Sequence, residues 1–218
     1  MTTSPTREQL WAAIHTERAR LADDLSALSP REWAAPTLCD GWSVEDVVAH
    51  LTAAARTGRG AWLRSIVAAR FRPDVHNERR LAEHRGPTPA ATLAAFRAAV
   101  DSRTAATGDL WAWLGEVVVH GADIREPLGI ASVPAPDAVV VVAEGFARRD
   151  FAVTSRSTAK GLRLVATDSE FTSGEGPTVT GTTLDLVLAM AGRPAALPRL
   201  TGNGVPTLAE RIGAQPPR

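Results

Sequence analysis

Residues Gly115 to Asp123 read GEVVVHGAD, an apolar run that carries a glutamate and a histidine four residues apart. A carboxylate is costly to bury unless it is paired, hydrogen-bonded or bound to a metal. On a helix, positions i and i+4 project from neighbouring turns of one face. Glu116 and His120 can therefore offer an oxygen and an imidazole nitrogen to one ion. Asp123, three residues further, lies close to the same face, where it can orient the other ring nitrogen of the histidine or contact a substrate. Taken alone, the pair also reads as a helix-face ion pair, so a metal site needs a donor from elsewhere.

The segment DVVAHLTAAA supplies one, because His50 follows Val47 and Val48 and stands four residues after Asp46. A lone histidine on an apolar face can also be a core residue bonded to a backbone carbonyl. Two apolar-faced helices that each present inward donors, however, match the way metal sites are built inside helical bundles. Two histidines and one glutamate leave a fourth position open, the pattern of a catalytic rather than a structural zinc site. The same donors accept nickel or iron. Cys39 is the only cysteine, which excludes an intrachain disulfide and a cysteine-based zinc site. With no histidine adjacent in sequence, it reads as a small buried hydrophobe. His15, His76 and His84 are dispersed and read as surface residues.

The elements that must position these donors are mostly helical up to about residue 130. Leu10, Ile14, Leu21, Leu25 and Leu28 form one amphipathic face of a first helix, opened by Thr6 and Gln9 and ended by Ser29-Pro30. REWAAPTLCDG follows as a turn-rich connector. Ser43 with Asp46 caps a second helix expected to reach Phe71, with Gly58 and Gly60 as possible breaks. RPDVHNERRLAEHRGP is charge-dense and reads as a solvated loop. Thr88-Pro89 opens a third helix to about Ala106, and Asp109 can cap a fourth that Pro127 and Gly129 terminate. Four helices joined by short or medium connections predict a four-helix bundle.

Pro134 and Pro136 mark a linker, dividing the chain into a bundle over 1–131 and a smaller α+β domain over 136–218. In the latter, DAVVVVAEGFARRDF reads as a helix and GLRLVATD and GPTVTG as strands. TTLDLVLAMAGR and VPTLAERIG are helical again. Trp11, Trp33, Trp42 and Trp62 are expected to pack the bundle ends, and Trp111 and Trp113 to alternate around the fourth helix.

Composition narrows the function classes. The 218 residues are 44% hydrophobic with 24 basic and 24 acidic side chains, so no net charge drives the protein to nucleic acid or an anionic membrane. Lys160 is the only lysine, a bias that reads first as a GC-rich genome. No apolar stretch has bilayer-spanning length and the first twenty residues lack a signal-peptide core, so a cytoplasmic location is expected.

PTLCDGWSVEDVVAHL (Pro36 to Leu51), GEVVVHGADIREPLG (Gly115 to Gly129) and GPTVTGTTLDLVLAMAGR with LTGNGVPTLAERI resemble the mycothiol-dependent maleylpyruvate isomerase family. That family belongs to the DinB-like superfamily of metal-dependent four-helix bundles. The resemblance implies that His50, Glu116 and His120 are the three protein ligands of a divalent metal, normally zinc. It further implies mycothiol as thiol co-substrate and a sterol-carrier-like C-terminal domain. An arginine of that domain serves catalysis in the isomerase; Arg193 in MAGRP is the nearest match and Arg199 its rival.

These parts imply a metal-dependent isomerase or thiol S-transferase acting on a small electrophile. Metal-bound sulfur is held as thiolate, the actual nucleophile, and an arginine can hold a substrate carboxylate bidentately. A metal-dependent hydrolase and a non-catalytic, metal-stabilised binding or regulatory protein are the competing classes. A monomer or homodimer is expected, with no nucleic-acid or membrane partner.

Overall fold

The computed structural model describes residues 5–60, 64 and 81–214, which fall into two compact units, Met1–Ser132 and Val133–Arg218. The fold is α+β: a helical first unit, and a second built of helices around a small sheet.

In the first unit, α1 (Arg7–Leu25) begins with a reciprocal cap. Gln9 N–H donates to Thr6 Oγ1 at 3.3 Å and Thr6 N–H to Gln9 Oε1 at 2.8 Å. Trp11, Ile14, Leu21 and Leu25 are buried along it, whereas Leu10 and Leu28 are only half-buried. Ser29-Pro30 does not end this helix. It opens a second, α2 (Pro30–Trp33), because Ser29 and Glu32 form a capping box of their own with proline at the first helical position. This short helix takes the first residues of the expected connector.

The Ser43–Asp46 box starts α3 (Val44–Arg56). It stops at Arg56 instead of reaching Phe71, with Thr57 Oγ1 donating back to Ala53 O at 2.6 Å; residues 59–60 are helical again. Apart from 64, the rest of the expected continuation and most of the charged loop, with Trp62 and His76, lie outside the described residues. Thr88 caps α4 (Pro89–Arg97), which is shorter than the expected run to Ala106. The carbonyls beyond its end turn towards α1, where Arg18 Nη1 donates to Ala99, Val100 and Ser102 at 3.4, 3.4 and 2.9 Å. His15 Nε2 also lies 3.3 Å from Ser102 O, so His15 is half-buried and bonded rather than a surface residue.

α5 (Leu110–Leu128) carries the GEVVVHGAD stretch. Asp109 stands at its N-cap with φ −81° and ψ 70°, outside extended cap geometry, and its side chain makes no cap bond. Gly129, at φ 65°, closes the other end; its N–H donates to Glu126 O and that of Ile130 to Arg125 O. α1 packs on α5 and α4, and α3 packs on the same two. The four helices thus close into a bundle with α1 diagonal to α3. Leu21 and Leu25, Val47, Val48 and Leu51, Phe96, and Val117 and Ile124 bring one cluster together from all four.

In the second unit, α6 (Pro136–Arg148) and α7 (Ser155–Ala159) precede β1 (Arg163–Ala166), β2 (Thr172–Ser173) and β3 (Thr178–Gly181). The sheet order is β2-β1-β3, with β1 antiparallel to β2 and parallel to β3, Leu164 lying opposite Val179. α8 (Thr183–Met190) packs on α6, and a 3₁₀ turn (Pro194–Arg199) leads to α9 (Val205–Gly213). α7, β2 and the 3₁₀ turn are too short to show a hydrophobic period, and the sequence reading did not include them. Among the described residues, no helix is long and apolar enough to cross a membrane.

Candidate metal centre

α5 is buried nearly all round: Leu114, Val117, Val118, Val119, Ala122 and Ile124 leave little of its circumference to solvent. Arg125, itself buried, ties it to α1 through Nε–H to Asp24 Oδ2 at 2.7 Å. A carboxylate and an imidazole placed mid-helix in such surroundings must find partners on a neighbouring element. α3 supplies one, with Val47, Val48 and Leu51 in the core and His50 turned to Glu116.

His50 Nε2 lies 3.2 Å from Glu116 Oε2, and His120 Nε2 lies 3.5 Å from the same oxygen. One donor atom from each of the three residues falls within 4.8 Å of the other two, a spacing that could hold a metal ion. Their side chains are 16%, 21% and 14% exposed, enough for a small molecule to reach them. The rings of His50 and His120 meet edge to face with centroids 5.1 Å apart.

The far side of His120 is held as well. Its Nδ1 lies 2.9 Å from Asp123 Oδ2, and Asp123 is fully buried. An ionised carboxylate only accepts, so the proton sits on Nδ1 and Nε2 faces Glu116. Cys39 Sγ donates to the same Asp123 oxygen at 3.0 Å and lies 3.4 Å from His120 Nδ1. Cys39 is thus buried as expected, but it is a hydrogen-bonding member of the site and not a mere core filler. Its histidine partner is distant in sequence, so adjacency along the chain could not reveal it.

Trp42 is the other residue that sequence reasoning missed. Its ring centroid stands 5.1 Å from that of His50 and 6.4 Å from that of His120, so the aromatic wall comes from the connector before α3. Trp111 and Trp113 of α5 are half-buried. The one available signal was position: CDGWS immediately precedes the helix that carries His50.

Charge in the cluster is balanced by protons. Burial pushes the Glu116 carboxyl up, yet hydrogen bonds from His120 and His50 outweigh it and hold the group far below the usual carboxylate range. Burial lowers His120, while the neighbouring Cys39, Asp123 and Glu116 raise it well above an ordinary histidine. Two imidazoles and a carboxylate are a donor set that a divalent cation accepts, and its binding would displace the ring protons.

The second unit places its two candidate arginines differently. Arg193 is 6% exposed and donates from Nη1 to Ala191 O at 3.2 Å. Arg199 is half-exposed and pairs with Asp185 through Nε–H at 2.5 Å.

The fold and donors define a class: a helical bundle with an inward 2-His-1-carboxylate cluster, followed by a small α+β unit. Residues 14–125 match the family model described as mycothiol maleylpyruvate isomerase N-terminal domain, and the chain belongs to that family. Two solved structures resemble it over 93% of this chain and 96% of their own. One is a mycothiol-dependent maleylpyruvate isomerase (20% identity, TM-score 0.63). The other is such an isomerase with one histidine mutated to alanine (19% identity, TM-score 0.64). At these identities the likeness shows the shared fold. No curated protein matches the chain.

Proposed function

We propose that this protein is a metal-dependent enzyme that activates a low-molecular-weight thiol, mycothiol by family, for attack on a small electrophile. The observation that carries the reading is the convergence of His50, Glu116 and His120 from two helices within 4.8 Å, with His120 oriented from behind. Zinc, or another divalent metal on these three donors, supplies a Lewis acid that keeps a thiol ionised at neutral pH.

The chain's own residues do the rest. His50 and His120 present Nε2, and Glu116 presents Oε2. Asp123 keeps the His120 proton on Nδ1, so that Nε2 stays a donor pair for the cation. Trp42 packs against both imidazoles and excludes water from that side, lowering the local dielectric in which sulfur carries charge. Addition of the thiolate to the electrophile gives transfer; rotation about the attacked bond and loss of the thiolate would give isomerisation. For a substrate carboxylate we carry Arg193, the nearest match to the family's arginine, with Arg199, which pairs with Asp185, as its rival.

The test is metal content and thiol binding, measured together on the purified protein and on His120→Ala. About one zinc per chain, lost in the variant, with mycothiol bound only by the metal form, is the expected result. A protein with no affinity for divalent metal overturns the reading. Metal without thiol affinity, with turnover of esters or amides in water, would make it a hydrolase.

A further inference from the structure

The connector between α2 and α3 reaches Asp123 of α5 by two separate bonds. Pro127 has no N–H, so the helical bond that would occupy the carbonyl of Asp123 is missing. Leu38 N–H of the connector donates to that carbonyl instead, at 3.1 Å. One residue on, Cys39 Sγ donates to Asp123 Oδ2 at 3.0 Å, the same oxygen that holds His120 Nδ1. The connector is itself braced: Cys39 N–H donates to Thr37 Oγ1 at 3.1 Å, and Trp42 N–H to Cys39 O at 3.0 Å.

We propose that Cys39 is a positioning residue for His120, acting through Asp123. A carboxylate turns about its terminal torsion at little cost. A thiol fixed by a braced backbone sets the plane in which Oδ2 meets Nδ1, and so sets the aim of Nε2 at Glu116. Asp123 is fully buried, so a donor lost there is not replaced by bulk water. Pro127 contributes by freeing the carbonyl that seats the connector. The consequence for metal affinity rests on the proposed metal reading; the effect on the ring does not.

The experiment compares Cys39→Ala, Cys39→Val and Cys39→Ser with the unaltered chain, each also in an Asp123→Asn background. Zinc affinity is read by chelator competition. The Nδ1–H NMR signal of His120, which reports its bond to Asp123, is read in metal-free protein below the ordinary thiol range. Cys39→Ala is expected to weaken zinc about tenfold, as loss of a partner behind a ligand does, and to shift and broaden the Nδ1–H signal. Serine, which keeps a donor, restores most of both, and Asp123→Asn makes the Cys39 changes silent. Valine keeps the buried volume without the donor and serves if the alanine variant does not fold.

Zinc affinity and ring signals that stay unchanged while only the unfolding midpoint falls would overturn the proposal and leave Cys39 a core filler. A chain that binds no zinc yet shows the Cys39-dependent Nδ1–H signal would remove the metal reading and support the positioning role.

Discussion

The mid-helix carboxylates of the first unit and the cap carboxylates of the second are used in opposite ways, although the first unit has cap carboxylates too, in Glu32 and Asp46. In the second, Asp150 accepts from Ser157 N–H and Oγ–H, Asp168 from Thr183 N–H and Oγ1–H, and Asp185 from Thr182 Oγ1–H and Arg199. Each sits where an element begins or turns; Asp150 and Asp168 answer backbone donors of the kind a helix start leaves open, and Asp185 answers side chains. In the first unit, Glu116 and Asp123 stand in the middle of a helix whose own backbone needs neither. Besides His120 of the same helix, each has a partner brought from elsewhere: His50 from α3, Cys39 from the connector. A carboxylate that closes an element explains itself locally. One in mid-helix, surrounded by valine and leucine, draws a partner from another element, which is why the proposed chemistry is placed in the first unit.

The sharpest way to break this contrast is His120→Ala. It should lower zinc affinity by more than about a hundredfold, because partners behind a ligand alone are worth about 10–100-fold; chelator competition checks it, with Arg199→Ala as the silent control. A core change in the other unit should do the reverse. Leu164→Ala, at the centre of β1, should cost about 2–5 kcal/mol of that unit's stability in denaturant unfolding and leave zinc stoichiometry intact. Asp123→Asn should weaken zinc about tenfold or more while conserving the fold, which circular dichroism would verify.

Two smaller effects sharpen the picture. Ser43→Ala removes the cap of the helix that carries His50 and should cost about 1 kcal/mol, read from thermal unfolding. Asp168→Asn should show its effect only above acid pH. Burial raises the Asp168 carboxyl, but hydrogen bonds from the Thr183 side chain and backbone outweigh this, and its pKa lies below the ordinary value. The stabilisation is present above the unfolded carboxylate range, around pH 3.9, and is lost as pH falls through the lower folded value. Midpoints of the variant and the unaltered chain should therefore converge on acidification.

Much of the helical framework was legible along the chain because caps are local. Thr6 with Gln9, Ser43 with Asp46, and Thr88 with Pro89 mark the starts of three bundle helices within four residues each. At α3 the break at Gly58 was legible, since the helix ends at Arg56 and residues 59–60 are helical again; the end of α4 was not, because the carbonyls beyond it are met by Arg18, some eighty residues earlier in the chain. Ser29-Pro30 misled for a related reason, since the same pair can stop one helix or start the next.

Spacing placed Glu116 and His120 on one side of α5, because helical geometry converts a four-residue interval into proximity; His50 was nominated by its own apolar-faced helix and by the family resemblance. Whether His50 meets them depends on how α3 packs against α5, which is a matter of core shape. The roles of Cys39 and Trp42 were decided wholly in three dimensions. The connector that carries them has no period to read, and it finds its seat on a carbonyl that Pro127, close to ninety residues away, leaves open. Local hydrogen bonding determined the elements; packing decided which of their polar side chains face one another.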